Sequence, residues 1–436
     1  MVHPYLRRRQ GKEPVTYPSE AVRSVLSRTL GVPIFQEQVM QLAMVSAGFT
    51  AGQADALRRS MAAWSRKGGV HHFREPLIEG MVAKGYPVAF AEGIFKQIEG
   101  FGEYGFPESH AASFALLAYF SSWFKCHEPA CFLAALLNAQ PMGFYSPSQL
   151  VQDAQRHGVE VRPVDVTASA WDCTLEAPGQ AREAGEPADG HGSTVQPAVR
   201  LGLRLVSGLS EQGGQRIEAA RAQAAFSDVE DLALRAALDR KDMGLLAAAD
   251  ALSTLAGHRR QQVWAATGTR RAAGLLREAP VHEERLVLPQ AGEGEDIVFD
   301  YAATGLTLRR HPLALLRPRL DALGWRTAAA LNRLPHDAPA RACGIVNMRQ
   351  RPPTAKGTLF VTIEDETGSV NLIVWNDLVE RERAALLGAR LLAVEGVWQR
   401  DESSGGRVRH LLARGVQDLT PLLGRLAGQG RSRDFH

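Results

Sequence analysis

The spacing of apolar and polar residues divides the chain into a helical part and a later part made of strands. Apolar residues recur every three or four positions over Ser19–Leu30 and Phe35–Ala47, which is the period of a helix with one buried face. Thr50 and Gln53 have the spacing of a capping box that starts a further helix. We therefore predict that most of residues 1 to about 175 are helical.

Five short runs after residue 341 have the length and alternation of strands. They are Ala342–Met348, Thr358–Glu364, Ser369–Trp375, Leu391–Gln399 and Arg407–Ala413. A helical stretch, Leu378–Leu387, falls between the third and the fourth run. This order is typical of an OB-fold, a small Greek-key barrel that binds single strands. The predicted fold is therefore multidomain and mainly α, with a C-terminal all-β OB-fold barrel.

Composition narrows the class of protein only slightly. The 436 residues are 45% hydrophobic and 22% charged, as in ordinary globular proteins. The formal net charge of +3 does not by itself indicate a polyanionic partner. Four cysteines in no metal-binding arrangement, and no leader, predict a cytoplasmic protein. The most apolar run, Ala111–Phe124, is shorter than a membrane span, so we expect no membrane partner.

The stretch FGEYGFPESHAASFALLAYF, from Phe101 to Phe120, is the strongest candidate for chemistry. Glycines among aromatic residues allow a loop whose amides approach a ligand closely. Ser109 and His110 follow where an apolar helix begins. A serine can cap such a helix, and a helix N-terminus attracts anions. Two interpretations stay open: a phosphate site, or a tight loop before a buried helix in which His110 is merely hydrogen-bonded.

The same stretch resembles the fingers of bacterial C-family DNA polymerases, the family of the polymerase III alpha subunit. That family carries a GYGFxxSHAA pattern, and this chain has EYGFPESHAA. Replicative members place Asn-Lys before the Ser-His pair, whereas Pro107 and Glu108 stand here, as in the error-prone branch. A second block, GVPIFQEQVMQLA over Gly31–Ala43, agrees. The resemblance covers nearly all of the chain.

The resemblance implies template-directed DNA synthesis across damaged DNA. Its implied cofactor is Mg²⁺, and its implied partners are a DNA primer-template and deoxynucleoside triphosphates, with room for other translesion-synthesis proteins. The residues that would hold the triphosphate are Arg58, Arg59, Gly105, Ser109 and His110. For Arg58 and Arg59 the alternative is a solvated helix face.

The resemblance and the pattern together predict six segments. Residues 177–197 contain few large apolar side chains and cannot form a core, so they are predicted to be a linker. The others are polymerase fingers at 1–176, a helix-hairpin-helix DNA-binding module at 198–275, a connector at 276–340, an OB-fold nucleic-acid-binding domain at 341–422 and a flexible tail at 423–436.

The helix-hairpin-helix candidate is the sequence LRLVSGLSEQGGQRIEAA, in which a tight turn precedes a helix. Outward-pointing amides of such a turn hold a DNA phosphate without reading the bases. We assign DNA binding to Gly208, Ser210 and Gly213. Ser210 stands where the family has its second hairpin glycine. An ordinary helical turn remains the alternative.

The predicted barrel supplies a second set of candidate DNA-binding residues. Aromatic rings on its strands can stack on bases, and cations in its first loop can follow the phosphate backbone. The rings are Phe360, Trp375 and Trp398, and the cations are Arg349, Arg351 and Lys356. For each ring, burial in the barrel core is the alternative.

No carboxylate pair in the sequence is a credible centre for nucleotidyl transfer, which uses two divalent metals. The acids at 364–366 are predicted to be solvated turn residues, and Asp239 and Asp242 flank a helix start. Asp296 and Asp300 are predicted to lie in an acidic loop. We therefore assign no catalytic or metal-binding residue and expect a C-terminal portion of a longer polymerase, with its aspartates upstream. The alternative is a non-catalytic DNA-binding protein.

Overall fold

The computed structural model describes residues 2–62, 71–99, 107–143, 145–178, 196–268, 286–352, 355, 357–401, 405–428 and 433–435. The chain forms two compact units, Met1–Trp123 and Phe124–His436. The six segments predicted above were drawn from motifs and composition, whereas these two units are defined by compactness. The predicted segment boundaries therefore stay predictions. Among the described helices, none combines the length and the apolar character needed to cross a membrane.

The described residues of the first unit form helices. They are α1 (Val2–Arg9), α2 (Glu20–Leu26), α3 (Gln36–Ala47), α4 (Ala51–Ala62), α5 (Arg74–Ala83), α6 (Val88–Glu99) and the greater part of α7 (Glu108–His127). One apolar face each of α2 to α6 forms a shared core that includes Leu26, Leu42, Leu57, Leu77 and Ile98. The helical spacing predicted for α2 and α3 is thereby confirmed.

Helix α7 is the exception in this unit. All twenty of its residues are described and none is buried. Its sequence is nevertheless rich in large apolar side chains such as Phe114, Leu117 and Phe120. The alternative of a buried helix after the glycine-rich loop is therefore not observed among the described residues, since none of α7 is buried.

The first part of the second unit is helical with one small sheet. The helices are α8 (Pro129–Asn138), α9 (Pro147–Arg156), α10 (Glu211–Gln223), α11 (Val229–Arg235), α12 (Arg240–Ala248), α13 (Ser253–Ala256), α14 (Arg259–Gly268), α15 (Glu293–Ala303), α16 (Pro312–Ala322) and α17 (Ala328–Leu331). Strands β1 (Val161–Arg162), β2 (Thr174–Glu176) and β3 (Ala198–Arg200) pair in the order β1-β3-β2. A continuous core extends from Ala130 on α8 to Leu306.

The strands near the end of this chain form a closed barrel. They are β4 (Ala338–Gln350), β5 (Leu359–Asp365), β6 (Gly368–Val374), β7 (Leu391–Arg400) and β8 (Arg409–Asp418). Their order is β5-β6-β8-β7-β4, and pairing of β4 with β5 closes the ring. Two short helices, α18 (Asn376–Arg381) and α19 (Arg383–Gly388), lie between β6 and β7. The five strands and the helical insertion predicted from the sequence are confirmed.

Two details differ from the expectations. Asp296 and Asp300 lie on helix α15 rather than in a loop. Acidic residues favour the first turn of a helix. Asp296, paired with Arg259, occupies a buried position of α15 that an apolar residue would usually take. The spacing of apolar residues therefore predicts this helix only weakly. In the segment predicted to be a flexible tail, residues 433–435 form strand β9 (Arg433–Phe435), which pairs in parallel with β4.

Candidate nucleotide and DNA-binding sites

Helix α4 places two candidate arginines on its outer face. The predicted capping box is confirmed: the Thr50 amide donates to Gln53 Oε1 at 2.9 Å, and the Gln53 amide donates to Thr50 Oγ1 at 3.3 Å. Ala54, Leu57 and Met61 then face the core. The positions between them point outward, and these include the two arginines, Arg58 and Arg59.

Arg58 and Arg59 share one carboxylate. Asp55 Oδ1 accepts from Arg58 Nε at 3.0 Å and Nη2 at 2.8 Å, and Asp55 Oδ2 lies 3.2 Å from Arg59 Nε. The Arg59 side chain is 68% exposed. Two guanidinium groups and one carboxylate leave one net positive charge on this outer face. The arrangement can attract an anion. It is equally consistent with the alternative, a helix face whose charges are only solvated.

The start of α7 is tied to other elements of the same unit by two acidic side chains. The Glu108 amide donates to Glu37 Oε2 on α3 at 2.8 Å, and the Glu108 carboxylate lies 2.7 Å from Arg28 Nη2. Because α4 also packs on α3, α3 supports both groups of candidate residues. No local pattern indicates the contact of Glu37 with Glu108, since the two are 71 positions apart.

The remaining nucleotide candidates lie at or before the start of α7. Ser109 and His110 are exposed, and the His110 ring lies over Phe114 with 4.4 Å between ring centroids. Ser109 is the second residue of the helix and not its cap, so the predicted capping role is wrong. Gly105 lies outside the described residues.

The predicted hairpin before α10 is present, but part of its hydrogen bonding is internal. Gly208 has φ +86°, a backbone conformation that favours glycine. Ser210 is the N-cap of α10, and its hydroxyl accepts from the Gly213 amide at 3.1 Å. The Gly213 amide is therefore engaged within the protein. Gly214 packs against Trp171 so closely that a Cβ would lie 2.6 Å from the indole ring.

Two of the three barrel aromatics lie on its outer face. On β5, Leu359 and Val361 point inward, and Phe360 between them is 37% exposed. Phe360 lies opposite Ile373 on β6. Trp375 comes directly after β6, as the N-cap of α18, and is 55% exposed. Both rings are therefore exposed, one on β5 and one at the end of β6.

Trp398 does not share this position. It is 2% exposed and belongs to the barrel core. Its ring cannot stack on a base in this fold, so its assignment to DNA binding is wrong. The alternation along β7 puts Val394 and Trp398 on the same, inner side.

The three cations predicted for the first barrel loop have separate positions. Arg349 lies within β4 and is 5% exposed, and it donates to the backbone carbonyls of Leu386 and Ala389 at the end of α19. A register shift between Val346 and Met348 turns it inward, so its assignment to the DNA backbone is wrong. Arg351 follows β4 and donates to Asn376 Oδ1 at 3.0 Å. Lys356 lies outside the described residues.

The acids at 364–366 are structural: Glu364 and Asp365 are the last two residues of β5 and are buried, and Glu366 begins the turn to β6. Asp365 accepts from the amides of Ala328 at 2.7 Å and Gly368 at 3.0 Å. Glu366 pairs with Arg317 at 2.5 Å. Burial raises the pKa of Glu364, which accepts from Asn347. Asp365 and Glu366 form the turn as predicted, whereas Glu364 lies within β5, and the prediction that the charges of these acids are solvated is wrong.

A buried ion network joins α14 to α15. Arg259 Nη1 lies 3.0 Å from Asp296 Oδ1, and its Nη2 contacts Asp300. Arg309 Nη2 donates to Asp250 Oδ2 at 2.7 Å, and burial raises the pKa of Asp250. These aspartates are therefore neutralised by arginines. Within the described residues, no group of three or more His, Cys, Asp or Glu side chains could hold a metal ion, so the described carboxylates do not fit the Mg²⁺ that the resemblance implies.

Comparison with protein families matches two segments of the chain. The model of the bacterial DNA polymerase III alpha subunit finger domain matches residues 1–85. A helix-hairpin-helix motif model matches residues 158–262, which include the hairpin at Gly208 and α10. Both families are the ones that the sequence patterns indicate.

Similar curated proteins are error-prone DNA polymerases. That of Bordetella bronchiseptica is 59% identical over 441 aligned residues, which cover 100% of this chain and 40% of the relative. Those of Methylococcus capsulatus and Alkalilimnicola ehrlichii are 57% and 56% identical, and this chain covers 41% of each. The chain thus spans about two fifths of the length of these relatives.

Among solved structures, asparaginyl-tRNA synthetase from Pyrococcus horikoshii matches 22% of this chain at 24% identity and a TM-score of 0.17. A likeness this weak carries no argument about fold or function.

The finger and helix-hairpin-helix matches lie in order along a chain that is similar over its whole length to the polymerases. Residues 1–85 are therefore similar to the finger domain of bacterial DNA polymerase III alpha subunits, and the whole chain is similar to part of an error-prone DNA polymerase.

Proposed function

We propose that this chain is the nucleotide-holding and DNA-holding part of an error-prone DNA polymerase that copies damaged templates. The observation that carries the proposal is the 59% identity over the full chain with one such polymerase, together with the finger-domain match. The reaction would take place in the cytoplasm, where bacterial DNA lies. Its substrates would be a primer-template and deoxynucleoside triphosphates, and other translesion-synthesis proteins would be further partners.

The fingers would hold the triphosphate through Arg58, Arg59, Ser109 and His110, with Gly105 in the preceding loop. Fixed cations stabilise the charge of a phosphoryl group as it reacts. The net positive charge of the Asp55 cluster and the exposed His110 support this role. Mg²⁺ would be bound by the part of the polymerase that this chain does not span, since the described carboxylates do not fit it.

We propose further that the barrel is an OB-fold and that its β5–β6 face binds single-stranded DNA. Support comes from the strand order with its closing pair, and from the helices between β6 and β7. Phe360 and Trp375 would stack on bases, and Arg351 would lie beside the phosphates. The hairpin at Gly208 and Ser210 would contact the duplex backbone.

Primer extension tests the proposal directly. The 436-residue chain is compared with a full-length chimera, in which these residues replace the matching segment of the Bordetella bronchiseptica relative. With Mg²⁺ and four nucleotides, we expect extension by the chimera and none by the 436-residue chain. If the shorter chain extends primers, it contains a metal site and the division of roles is wrong. If the folded chimera does not extend, the polymerase assignment is wrong and a non-catalytic DNA-binding role is favoured.

The nucleotide site is tested in the same chimera by Arg59→Ala. Loss of one cation should raise the Michaelis constant for the nucleotide, because one charge of the Asp55 cluster is removed. Arg23→Ala is a matched control, since Arg23 also forms an exposed ion pair with an acid of its own helix, Glu20. Equal Michaelis constants for the two variants would remove Arg59 from the site.

A further inference from the structure

Helix α7 exposes large apolar side chains on several sides. Phe114, Leu116, Leu117, Tyr119 and Phe120 are between 54% and 65% exposed. Successive residues of a helix are about 100° apart, so Phe114 and Leu116 project on nearly opposite sides. From Ser109 to Phe124 the sequence contains no Asp, Glu, Lys or Arg. A helix that is apolar all round is ordinarily enclosed by protein.

The exposed apolar surface of α7 is larger than the single, scattered apolar residues that ordinary protein surfaces carry. Sixteen uncharged residues at 1.5 Å per residue give a length of about 24 Å. Contiguous apolar surface of this kind marks an interaction site in a folded protein. None of the residues of α7 is buried, although helices α2 to α6 of the same unit share a core.

We propose that α7 is a core helix of the complete polymerase, enclosed by the part of that protein which this chain does not span. About three fifths of the length of this relative lies outside the part that this chain covers. A second copy of this chain is a poorer fit. A two-fold contact covers one patch of each copy, whereas the apolar side chains of α7 project on opposite sides.

Enclosure of α7 would also complete the nucleotide site, and this step rests on the proposed function. Ser109 and His110 lie in the first turn of the helix, whose start is held by Glu37 and Arg28. A partner packed along α7 would fix the direction of the helix and exclude water beside these two residues.

Hydroxyl-radical footprinting of the 436-residue chain and the full-length chimera tests the proposal. In the 436-residue chain, Tyr119 and Phe120 should be oxidised as readily as Trp264 and Tyr145, which are 55% and 57% exposed. In the chimera, oxidation of Tyr119 and Phe120 should fall to the level of Phe95, which is 3% exposed. Trp264 and Tyr145 should stay reactive and serve as internal controls.

Three outcomes would overturn the proposal. Low reactivity of α7 in the 436-residue chain at every concentration would mean that this chain covers its own helix. Protection that grows with the concentration of the 436-residue chain would assign the surface to self-association. Equal, high reactivity in both proteins would mean that the remaining part of the polymerase does not cover α7.

A substitution provides a second readout that does not depend on catalysis. Leu116→Gln should leave the Tm of the 436-residue chain unchanged and lower that of the chimera, because only the chimera buries position 116. Leu387→Gln, at a side chain that is 44% exposed on α19, should change neither. A chimera that extends primers but has an exposed, substitution-tolerant α7 would contradict this inference and leave the proposed function intact.

Discussion

The two units of the chain differ in how their polar groups are held. In Met1–Trp123, the candidate residues on α4 and α7 lie in water, and the ion pairs that hold them are exposed. In Phe124–His436, arginines and acids form buried networks between helices and beside the barrel. Exposed pairs contribute little to stability, whereas removal of one partner from a buried pair is costly.

The difference indicates which tasks each unit can perform alone. The second unit encloses a helical core and a barrel core, so the faces proposed to bind DNA are fixed without another protein. The first unit has a core but leaves its longest helix uncovered. We therefore expect DNA binding to be measurable with this chain, and nucleotide selection to require the complete polymerase.

The largest expected effect is on the stability of the second unit. Arg259→Ala leaves the buried Asp296 without its nearest cation, since Arg309 is farther away at 3.7 Å, and this should reduce the free energy of unfolding by about 3–5 kcal/mol. Arg260→Ala is the control, since Arg260 is 41% exposed where it pairs with Glu295, and it should cost less than about 1 kcal/mol. Urea denaturation measures both. Equal losses would contradict the contrast between buried and exposed pairs.

The next effect is a dependence of stability on pH that originates at His311. Burial lowers the pKa of His311 from 6.5 to about 4, and its neighbours include Glu364, Glu366, Arg156 and Arg317. The unfolded chain binds a proton below pH 6.5 and the folded chain does not. Stability present above pH 6.5 is therefore lost as the pH falls towards 4, by up to about 3 kcal/mol.

Replacement of His311 by asparagine, which can still accept at the start of α16, should remove that part of the acid-induced loss. Urea denaturation between pH 7 and pH 4 measures the difference from the unmodified chain. Glu364→Gln is an informative comparison, because the raised pKa of Glu364 acts in the opposite direction. Parallel pH profiles for the His311 variant and the unmodified chain would contradict the assignment.

A smaller effect is expected in DNA binding. Trp375→Ala should weaken binding of a single-stranded oligonucleotide by about 1–3 kcal/mol, or roughly 5- to 150-fold, if the ring stacks on a base. Trp264→Ala is matched in exposure, at 55% for both residues, but lies on α14. Fluorescence anisotropy compares the two. Equal affinities would remove the β5–β6 face of the barrel from the binding site.

The smallest effect on stability is expected in the first unit. Glu108→Lys replaces an exposed ion pair with repulsion from Arg28, and it should cost less than about 1 kcal/mol. In the full-length chimera, the added cation beside Ser109 should lower misincorporation. Glu92→Lys, which breaks the exposed pair with Arg74, is the control. Misincorporation that is unchanged, or changed equally by both, would remove Glu108 from nucleotide selection.

Local patterns predicted the elements of the fold well. The capping box at Thr50 and the five strands of the barrel depend on residues close together in sequence, and both are present. The position of Trp398 depends on which side of β7 faces inward, and that of Arg349 on a register shift in β4. Alternation alone does not specify either choice.

The surroundings of the candidate nucleotide site were less predictable. Glu37 and Glu108 are far apart in sequence, and their contact follows only from the packing of the helices. The glycine-rich stretch indicated the polymerase family, and the chain is similar over its whole length to error-prone DNA polymerases. The same stretch leaves burial of α7 open, and in the structure none of the residues of α7 is buried.

We propose that this chain holds DNA without the rest of the polymerase. Titration of a labelled single-stranded oligonucleotide with the 436-residue chain, at several salt concentrations, tests this proposal. We predict saturable binding whose logarithmic association constant falls linearly with the logarithm of salt concentration, as cations replace counterions on the phosphates. Absence of saturable binding at low salt, with the chain folded, would contradict the claim.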